Sequence, residues 1–148
     1  FLRISIGYPT VEQEMDVLDR YSGSVKPMAS VEPVCSARDV LQMQSMVNQV
    51  YCSPEVRAYV ATLAAATRTA PGLQLGASTR AAIALIHGAQ ACALLDDRDY
   101  ILPEDVQHML LPVFAHRLVL HPETRMKGVS AQQILTSILQ NTAVPVKL

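Results

Sequence analysis

No uninterrupted apolar run in the sequence is long enough to span a bilayer, and no signal peptide is recognisable at its start. Basic residues do not outnumber acidic ones, since 12 lysines and arginines stand against 13 aspartates and glutamates. A sequence-independent grip on nucleic acid needs a basic face, which this composition does not supply. We therefore expect a cytoplasmic protein that binds neither membrane nor nucleic acid.

The sequence also lacks the spacing of known metal sites. Its three cysteines are far apart and include no CxxC pair, so reduced thiols are the simpler interpretation. No histidine pair has the spacing of a zinc finger or an HExxH helix. Asp96, Asp97 and Asp99 lack the glycine of a calcium loop and are interpreted as solvated loop acids. No metal site is predicted.

Motifs for hydrolysing a nucleotide are missing as well. The segment Gly72–Gly76 contains glycines near a helix start, but no Lys-Ser or Lys-Thr pair follows it, so it is not a Walker A phosphate loop. No apolar strand ends in paired acids that could hold magnesium, and no nucleophile elbow is present. The chain by itself therefore lacks the parts of a complete hydrolytic site.

Helical patterns dominate what is present. The 148 residues are half apolar, which is ample for the core of one domain. Helix-start signals recur along the chain, at Thr10, Ser36, Ser53, Ser78, Pro103 and Ser130. The predicted fold class is all-α, a small bundle of about five or six helices preceded by one β-strand.

The predicted strand is the segment Phe1–Ile6, which alternates apolar and polar residues. A single strand needs partners for its backbone groups, and few convincing partners follow. We therefore expect it to belong to a sheet encoded upstream, which would make the chain a fragment of a longer protein. Farther on, Tyr100–Leu102 and Leu118–Leu120 are short enough to pair with each other as a small ladder.

The segment Gly76–Ala82 is the principal candidate for function. Gly76 permits a sharp turn and Ser78 is a good N-cap, which places Arg80 in the first turn of a helix that runs to about Leu95. A cation is unfavourable there, but an arginine beside a helix N-terminus is well suited to hold a phosphate. The alternative is a surface arginine that lies back along its own helix.

Two further polar residues have open interpretations. His87 lies two turns after Arg80, so it could face the same site or be a partly buried, hydrogen-bonded histidine. Arg68 falls in the last turn of the preceding helix, where a cation complements the helix dipole without any further role.

Five segments together resemble, in order, the C-terminal lid domain of MoxR-type AAA+ ATPases. They are Ile6–Pro9, Tyr59–Arg68, Gly76–Ala82, Arg98–Val106 and His116–Leu118. Gly76–Ala82 resembles the family's second-sensor motif, which reads glycine-alanine-serine-proline-arginine-alanine. Thr79 stands where proline is usual, and proline suits the first helical position without being required there.

The resemblance implies a full-length ATPase that uses ATP and Mg²⁺, forms a homo-oligomeric ring and remodels other proteins as a chaperone does. It implies an upstream AAA+ core domain that carries the magnesium ligands, and clients with von Willebrand factor A domains. Since the Walker A and Walker B motifs lie outside this chain, we expect the chain alone to be inactive and to bind ATP weakly.

The resemblance also assigns residues. Arg80 would be the catalytic residue, contacting the γ-phosphate in cis or from a neighbouring subunit. The nucleotide-binding residues would be Tyr8, Pro9, Gly76, Ser78, Thr79 and Arg80. Residues 1–9 would be the last strand and hinge of the core, residues 10–35 a short helix and linker loop, and residues 36–148 the helical lid.

Two other functions remain open from the residues alone. A non-enzymatic helical module could bind a peptide in a groove lined by the alanine-rich helices. A helix-turn-helix DNA-binding protein is the weaker alternative, because no basic recognition helix is apparent.

Overall fold

The computed structural model describes residues 2–22 and 31–145, which are mainly helical, and the predicted all-α class is confirmed. Phe1, residues 23–30 and residues 146–148 lie outside the described residues, and with them much of the linker loop predicted within residues 10–35. The chain divides into two compact units. One is Ile4–Gln42, and the other comprises Leu2, Arg3 and the described residues from Met43 onward.

The first unit contains α1 (Val11–Ser22) and the start of α2 (Ala37–Val47). The predicted capping box of α1 forms, because the amide of Gln13 donates to Thr10 Oγ1 at 3.3 Å and the amide of Thr10 donates to Gln13 Oε1 at 3.0 Å. Neither helix buries a side chain, so the described core belongs to the second unit.

Residues 2–9 form no strand in this structure. Because the strand expected at Phe1–Ile6 would pair with a sheet encoded upstream, that expectation stays a prediction. The amide of Arg3 donates to the carbonyl of Pro112 at 3.0 Å, but no ladder follows within the described residues. An extended segment becomes a strand only when another strand pairs with it. The alternation of apolar and polar residues indicates a tendency to form a strand, but it does not provide the second strand that pairing requires.

The second unit holds five helices and a two-stranded sheet among its described residues. Its elements are α3 (Pro54–Thr69), β1 (Leu73–Leu75), α4 (Thr79–Leu95), α5 (Pro103–Phe114), a 3-10 turn (Ala115–Arg117), β2 (Val119–Leu120), α6 (Pro122–Met126) and α7 (Ala131–Asn141). The short helix α6 was not predicted, and with it the described residues form seven helices.

The core lies where α3, α4, α5 and α7 meet. Its fully buried side chains include Leu63, Leu85, Leu110, Phe114 and Leu135, contributed by all four helices. The most extensive packing is between α4 and α5. The buried face of α4 is rich in alanine, and small side chains let neighbouring helices approach closely.

The pairing predicted for Tyr100–Leu102 with Leu118–Leu120 is wrong. Strand β2 pairs with β1 in antiparallel fashion, Leu73 facing Leu120. Tyr100 instead forms an isolated parallel bridge with Tyr51, where the amide of Ile101 donates to the Tyr51 carbonyl at 2.9 Å. Segments this short contain too little pattern to select a partner, so tertiary packing selects it.

An ion pair joins the end of α4 to the start of α5. The guanidinium of Arg98 donates to both carboxylate oxygens of Asp105, at 2.8 and 2.7 Å, and Asp105 also accepts the Leu102 amide at 2.7 Å. Asp105 is 6% exposed. Burial alone raises the pKa of this carboxyl, but the hydrogen bonds from Arg98 and Leu102 outweigh burial, so that the pKa lies below its usual 3.8.

Replacing this carboxylate should destabilise the fold. We expect Asp105→Ala to lower the free energy of unfolding by about 2–3 kcal/mol, because it leaves the Leu102 amide unpaired and removes the buried carboxylate partner of Arg98, which then keeps only Asp96 and the Tyr100 carbonyl. Glu104→Ala, exposed on the same helical turn, should change it by less than about 0.5 kcal/mol.

Urea unfolding across pH checks both values. A carboxyl whose pKa is lowered in the folded state stabilises the fold above its unfolded pKa, and that stabilisation is lost as pH falls through the lowered value. The difference in unfolding free energy between the wild type and Asp105→Ala should therefore disappear below about pH 3.8. A gap that is constant with pH would contradict this assignment.

Candidate functional site

The start of α4 is fixed by a serine cap. Ser78 has extended backbone angles, φ −76° and ψ 164°, and its Oγ accepts the amide of Ala81 at 3.3 Å. The helix begins at Thr79, so Arg80 is the second residue of the first turn, as predicted. This turn contains no acidic residue that would complement the helix dipole.

Two side chains at the end of α3 hold the residue before this cap. Thr67 Oγ1 accepts the amide of Ala77 at 2.8 Å and donates to the carbonyl of Ala64 at 2.6 Å. Arg68 Nε donates to the carbonyl of Ala77 at 2.8 Å. Both backbone groups of Ala77 are thereby bonded to side chains of α3. We call this arrangement the Ala77 clamp.

Gly76 is required by contact rather than by an unusual backbone angle. Its φ is not in the left-handed region, so the sharp turn expected from the sequence is not the reason for glycine here. A Cβ at this position would lie 2.6 Å from both Cα and N of Arg68. The loop therefore passes directly over the backbone of α3, and only glycine leaves room for it.

Arg80 is exposed, and within the described residues it has no hydrogen bond or ion pair. This distinguishes it from Arg68, which is bonded to Ala77, and from Arg98, which is bonded to Asp105. An unpaired guanidinium in the first turn of a helix has five N–H donors available for an anion.

Arg80 lies at the edge of a groove between α4 and α5 of about 590 Å³, which we call the α4–α5 groove. Its walls are mostly apolar, with Ile83 and Ala91 from α4 and Met109 from α5. Among the described residues, the charged or protonatable nitrogen groups in its lining are those of Arg80, His87 and Arg117, and no acidic side chain lines it. The groove therefore favours an anion over a cation.

His87 is exposed rather than partly buried, but it has both the hydrogen bond and the position beside Arg80 that the sequence left open. It lines the α4–α5 groove with Arg80, and its Nδ1 lies 3.0 Å from Gln90 Oε1. Gln90 Nε2 in turn donates to the carbonyl of Val50 at 2.9 Å. The histidine is thus hydrogen-bonded and also faces the groove.

The structure brings together only some of the predicted nucleotide-binding residues. Gly76, Ser78, Thr79 and Arg80 are contiguous at the start of α4, as their sequence requires. Tyr8 and Pro9 belong to the other compact unit, where both are exposed and Tyr8 is completely so. Their assignment to the adenine end of a nucleotide site stays a prediction.

Metal-binding and membrane-spanning features are not found in residues 2–22 and 31–145. Across these ranges, no three His, Cys, Asp or Glu side chains are grouped so that they could hold a metal ion. Their helices are all too short or too polar to cross a membrane. The three cysteines are unpaired.

Sequence reasoning did not anticipate the roles of Thr67 and Gln90. Thr67 lies buried on the apolar face of α3, and a hydroxyl at such a position is itself a signal that a backbone group approaches it. Gln90, which is 8% exposed, carries the same signal on α4.

A family model and several known proteins match this chain. The sequence model of the AAA lid domain family matches residues 65–138. The uncharacterised protein YeaC of Bacillus subtilis is 37% identical over 145 residues, covering 98% of this chain and 45% of YeaC. Chaperone MoxR1 of Mycobacterium tuberculosis is 30% identical over 152 residues, covering 97% of this chain and 40% of MoxR1.

A solved structure agrees with the sequence relatives. The crystal structure of a proposed ATPase from Cytophaga hutchinsonii matches with a TM-score of 0.85 and 32% identity, over 98% of this chain and 46% of that one. The chain therefore spans less than half the length of these three relatives.

A methyl group at residue 76 should disturb the site more than one at residue 88. In Gly76→Ala the new Cβ meets rigid backbone at 2.6 Å, and we expect a loss of about 2–3 kcal/mol in unfolding free energy. In Gly88→Ala it meets the flexible end of Met109 at 2.9 Å and gains helix propensity, so the change should stay within about 1 kcal/mol. Thermal and urea unfolding measure both, and equal losses would argue against the close approach at Gly76.

Proposed function

The chain belongs to the AAA lid domain family of MoxR-type AAA+ proteins, and from that premise we propose that it is the C-terminal lid of an ATPase. In this proposal Arg80 is the second-sensor arginine of the ATP site. The observation that carries the proposal is the exposed guanidinium of Arg80, without a partner among the described residues, in the first turn of a capped helix.

The residues around Arg80 fit a phosphate group. Paired N–H donors of a guanidinium match phosphate oxygens, and the amides at a helix start add to the same attraction. The charged groups lining the α4–α5 groove are basic. In the proposed role Arg80 contacts the γ-phosphate and stabilises negative charge during phosphoryl transfer, while Mg²⁺ and its ligands belong to the upstream core.

The Ala77 clamp supports this role because it makes Arg80 part of a rigid element. A cation that must meet developing charge needs a fixed position, since misplacement loses much of its benefit. Thr67 and Arg68 fix Ala77, and Ser78 fixes the first turn. The side chain of Arg80 remains exposed, so only the guanidinium itself would adjust to a ligand.

We place the hinge of the lid at residues 7–10. Gly7 has φ +75°, a backbone angle that glycine adopts readily, and a Cβ at this position would have no atom within 4 Å. Both features are compatible with a hinge at this residue. Tyr8 and Pro9 would lie at the adenine end of the cleft. The proposed division assigns residues 1–9 to the core's last strand and hinge, 10–35 to a helix and linker, and 36–148 to the lid.

The full-length protein is proposed to act in the cytoplasm as a homo-oligomeric ring that remodels other proteins with energy from ATP. The relative named as a chaperone supports remodelling, and the three unpaired thiols are compatible with that compartment. Clients with von Willebrand factor A domains follow from the family resemblance alone.

Arg80→Ala in the full-length protein tests the central assignment. We expect ATP turnover to fall by about 10²-fold or more, as when a preorganised charge-stabilising donor is removed, with little change in thermal stability because the side chain is exposed. Arg57→Ala, which removes an exposed arginine of α3, is the matched control and should leave turnover unchanged. Unaltered turnover in Arg80→Ala would exclude Arg80 from the mechanism.

The 148-residue chain without an upstream core should bind ATP poorly. We expect a dissociation constant of about 1 mM or weaker, corresponding to about −4 kcal/mol or less binding free energy, because one arginine and a helix start do not make a complete site. Isothermal titration calorimetry measures this value. Micromolar binding would show that the chain contains a full nucleotide site.

A peptide-binding module is the second candidate function, favoured by the apolar walls of the α4–α5 groove. The two candidates differ in one measurement. A purely adaptor role predicts that full-length protein has no ATP turnover that depends on Arg80.

A further inference from the structure

His87 lies on the same face of α4 as Arg80, seven residues later. Seven residues complete almost two helical turns, a rise of about 10.5 Å. Both side chains line the α4–α5 groove. The helix therefore presents two nitrogen-bearing side chains to one groove, and the proposed function uses only the first of them.

The hydrogen bonds of Gln90 determine which ring nitrogen of His87 carries a proton. Gln90 Nε2 donates to the carbonyl of Val50, which fixes the amide so that Oε1 faces His87. Because Oε1 can only accept, His87 Nδ1 must be the donor at 3.0 Å. Nε2 then has no hydrogen bond within the described residues, and it can accept one when neutral or donate one when the ring is protonated.

The surroundings of His87 favour an anion at that nitrogen. The other titratable groups lining the groove are Arg80 and Cys92 of α4 and Arg117 of the 3-10 turn. The walls from α5 and from the N-terminal segment contribute Met109 and Leu2, which do not titrate, and none of the lining residues that the structure describes is a carboxylate. A negatively charged group would therefore meet basic nitrogens on this face of α4.

We propose that His87 is a second anion-binding residue of the α4–α5 groove, and that it binds a phosphate group of the nucleotide assigned to Arg80. This inference rests on the proposed function. The protonated ring donates its Nε2 hydrogen to a phosphate oxygen while Nδ1 keeps its bond to Gln90. Since only the protonated ring can donate from both nitrogens, nucleotide binding becomes tighter as pH falls.

The test measures binding of a non-hydrolysable ATP analogue to the full-length protein from pH 6 to pH 8.5, by calorimetry, together with ATP turnover. His87→Gln removes the imidazole, and His87→Lys puts a positive charge in its place. His121→Gln removes an exposed histidine that does not line the groove and serves as the control. His87→Gln also supplies the baseline for the ligand's own protonation.

We expect the wild type to bind at least about tenfold more tightly than His87→Gln at pH 6 and within about twofold at pH 8.5, the size of one charge-assisted hydrogen bond. His87→Lys should bind tightly across the range, and His121→Gln should follow the wild type. Parallel pH profiles for the wild type and His87→Gln would overturn the inference.

Arg80→Ala, measured alongside, separates this inference from the proposed function. If turnover depends on Arg80 while the His87 variants match the wild type, only the role of His87 is wrong. If turnover depends on neither residue, the proposed function is wrong as well, and His87 loses its ligand with it.

Discussion

The bonding of Ala77 by the end of α3 is the constraint on which the candidate site depends. A loop that leads into a helix usually satisfies its backbone groups with water or with its own turn. Here the buried Thr67 hydroxyl accepts the amide of Ala77 and Arg68 donates to its carbonyl. Gly76 has no Cβ, so the loop can lie directly against the backbone of α3. The first turn of α4 is thereby fixed to a neighbouring helix rather than to its own loop.

Three arginines of the second unit, Arg68, Arg80 and Arg98, differ in the groups that they contact. Arg98 is bonded to a buried carboxylate and Arg68 to a backbone carbonyl, so both hold elements of the fold in place. Arg80 has no such bond among the described residues, although it is held on a well-ordered helix start. A cation that is fixed in position and unneutralised retains its field for an external anion.

Sequence reasoning identified the features that depend on neighbours in the chain. The caps at Thr10, Ser78 and Ser130 have the predicted hydrogen bonds, because a cap needs only a side chain and an amide three residues later. Features that join distant segments were missed or wrong, as with the partner of β2 and the contact of Gln90 with Val50. No local pattern encodes which carbonyl a buried amide will reach.

In the candidate site, too, local features were predictable from the sequence and features that join distant segments were not. The position of Arg80 in a first helical turn followed from Ser78, whereas the groove it borders requires the packing of α4 against α5. The presence of His87 in that groove was one of two interpretations that spacing alone could not separate.

The clamp also has a mechanical consequence. Because α3 and the start of α4 are joined through backbone contact at Gly76 and two hydrogen bonds at Ala77, they must translate together as one lever. A force applied to the outer surface of α3 would then displace the guanidinium of residue 80 directly, without any rotamer change between the two points.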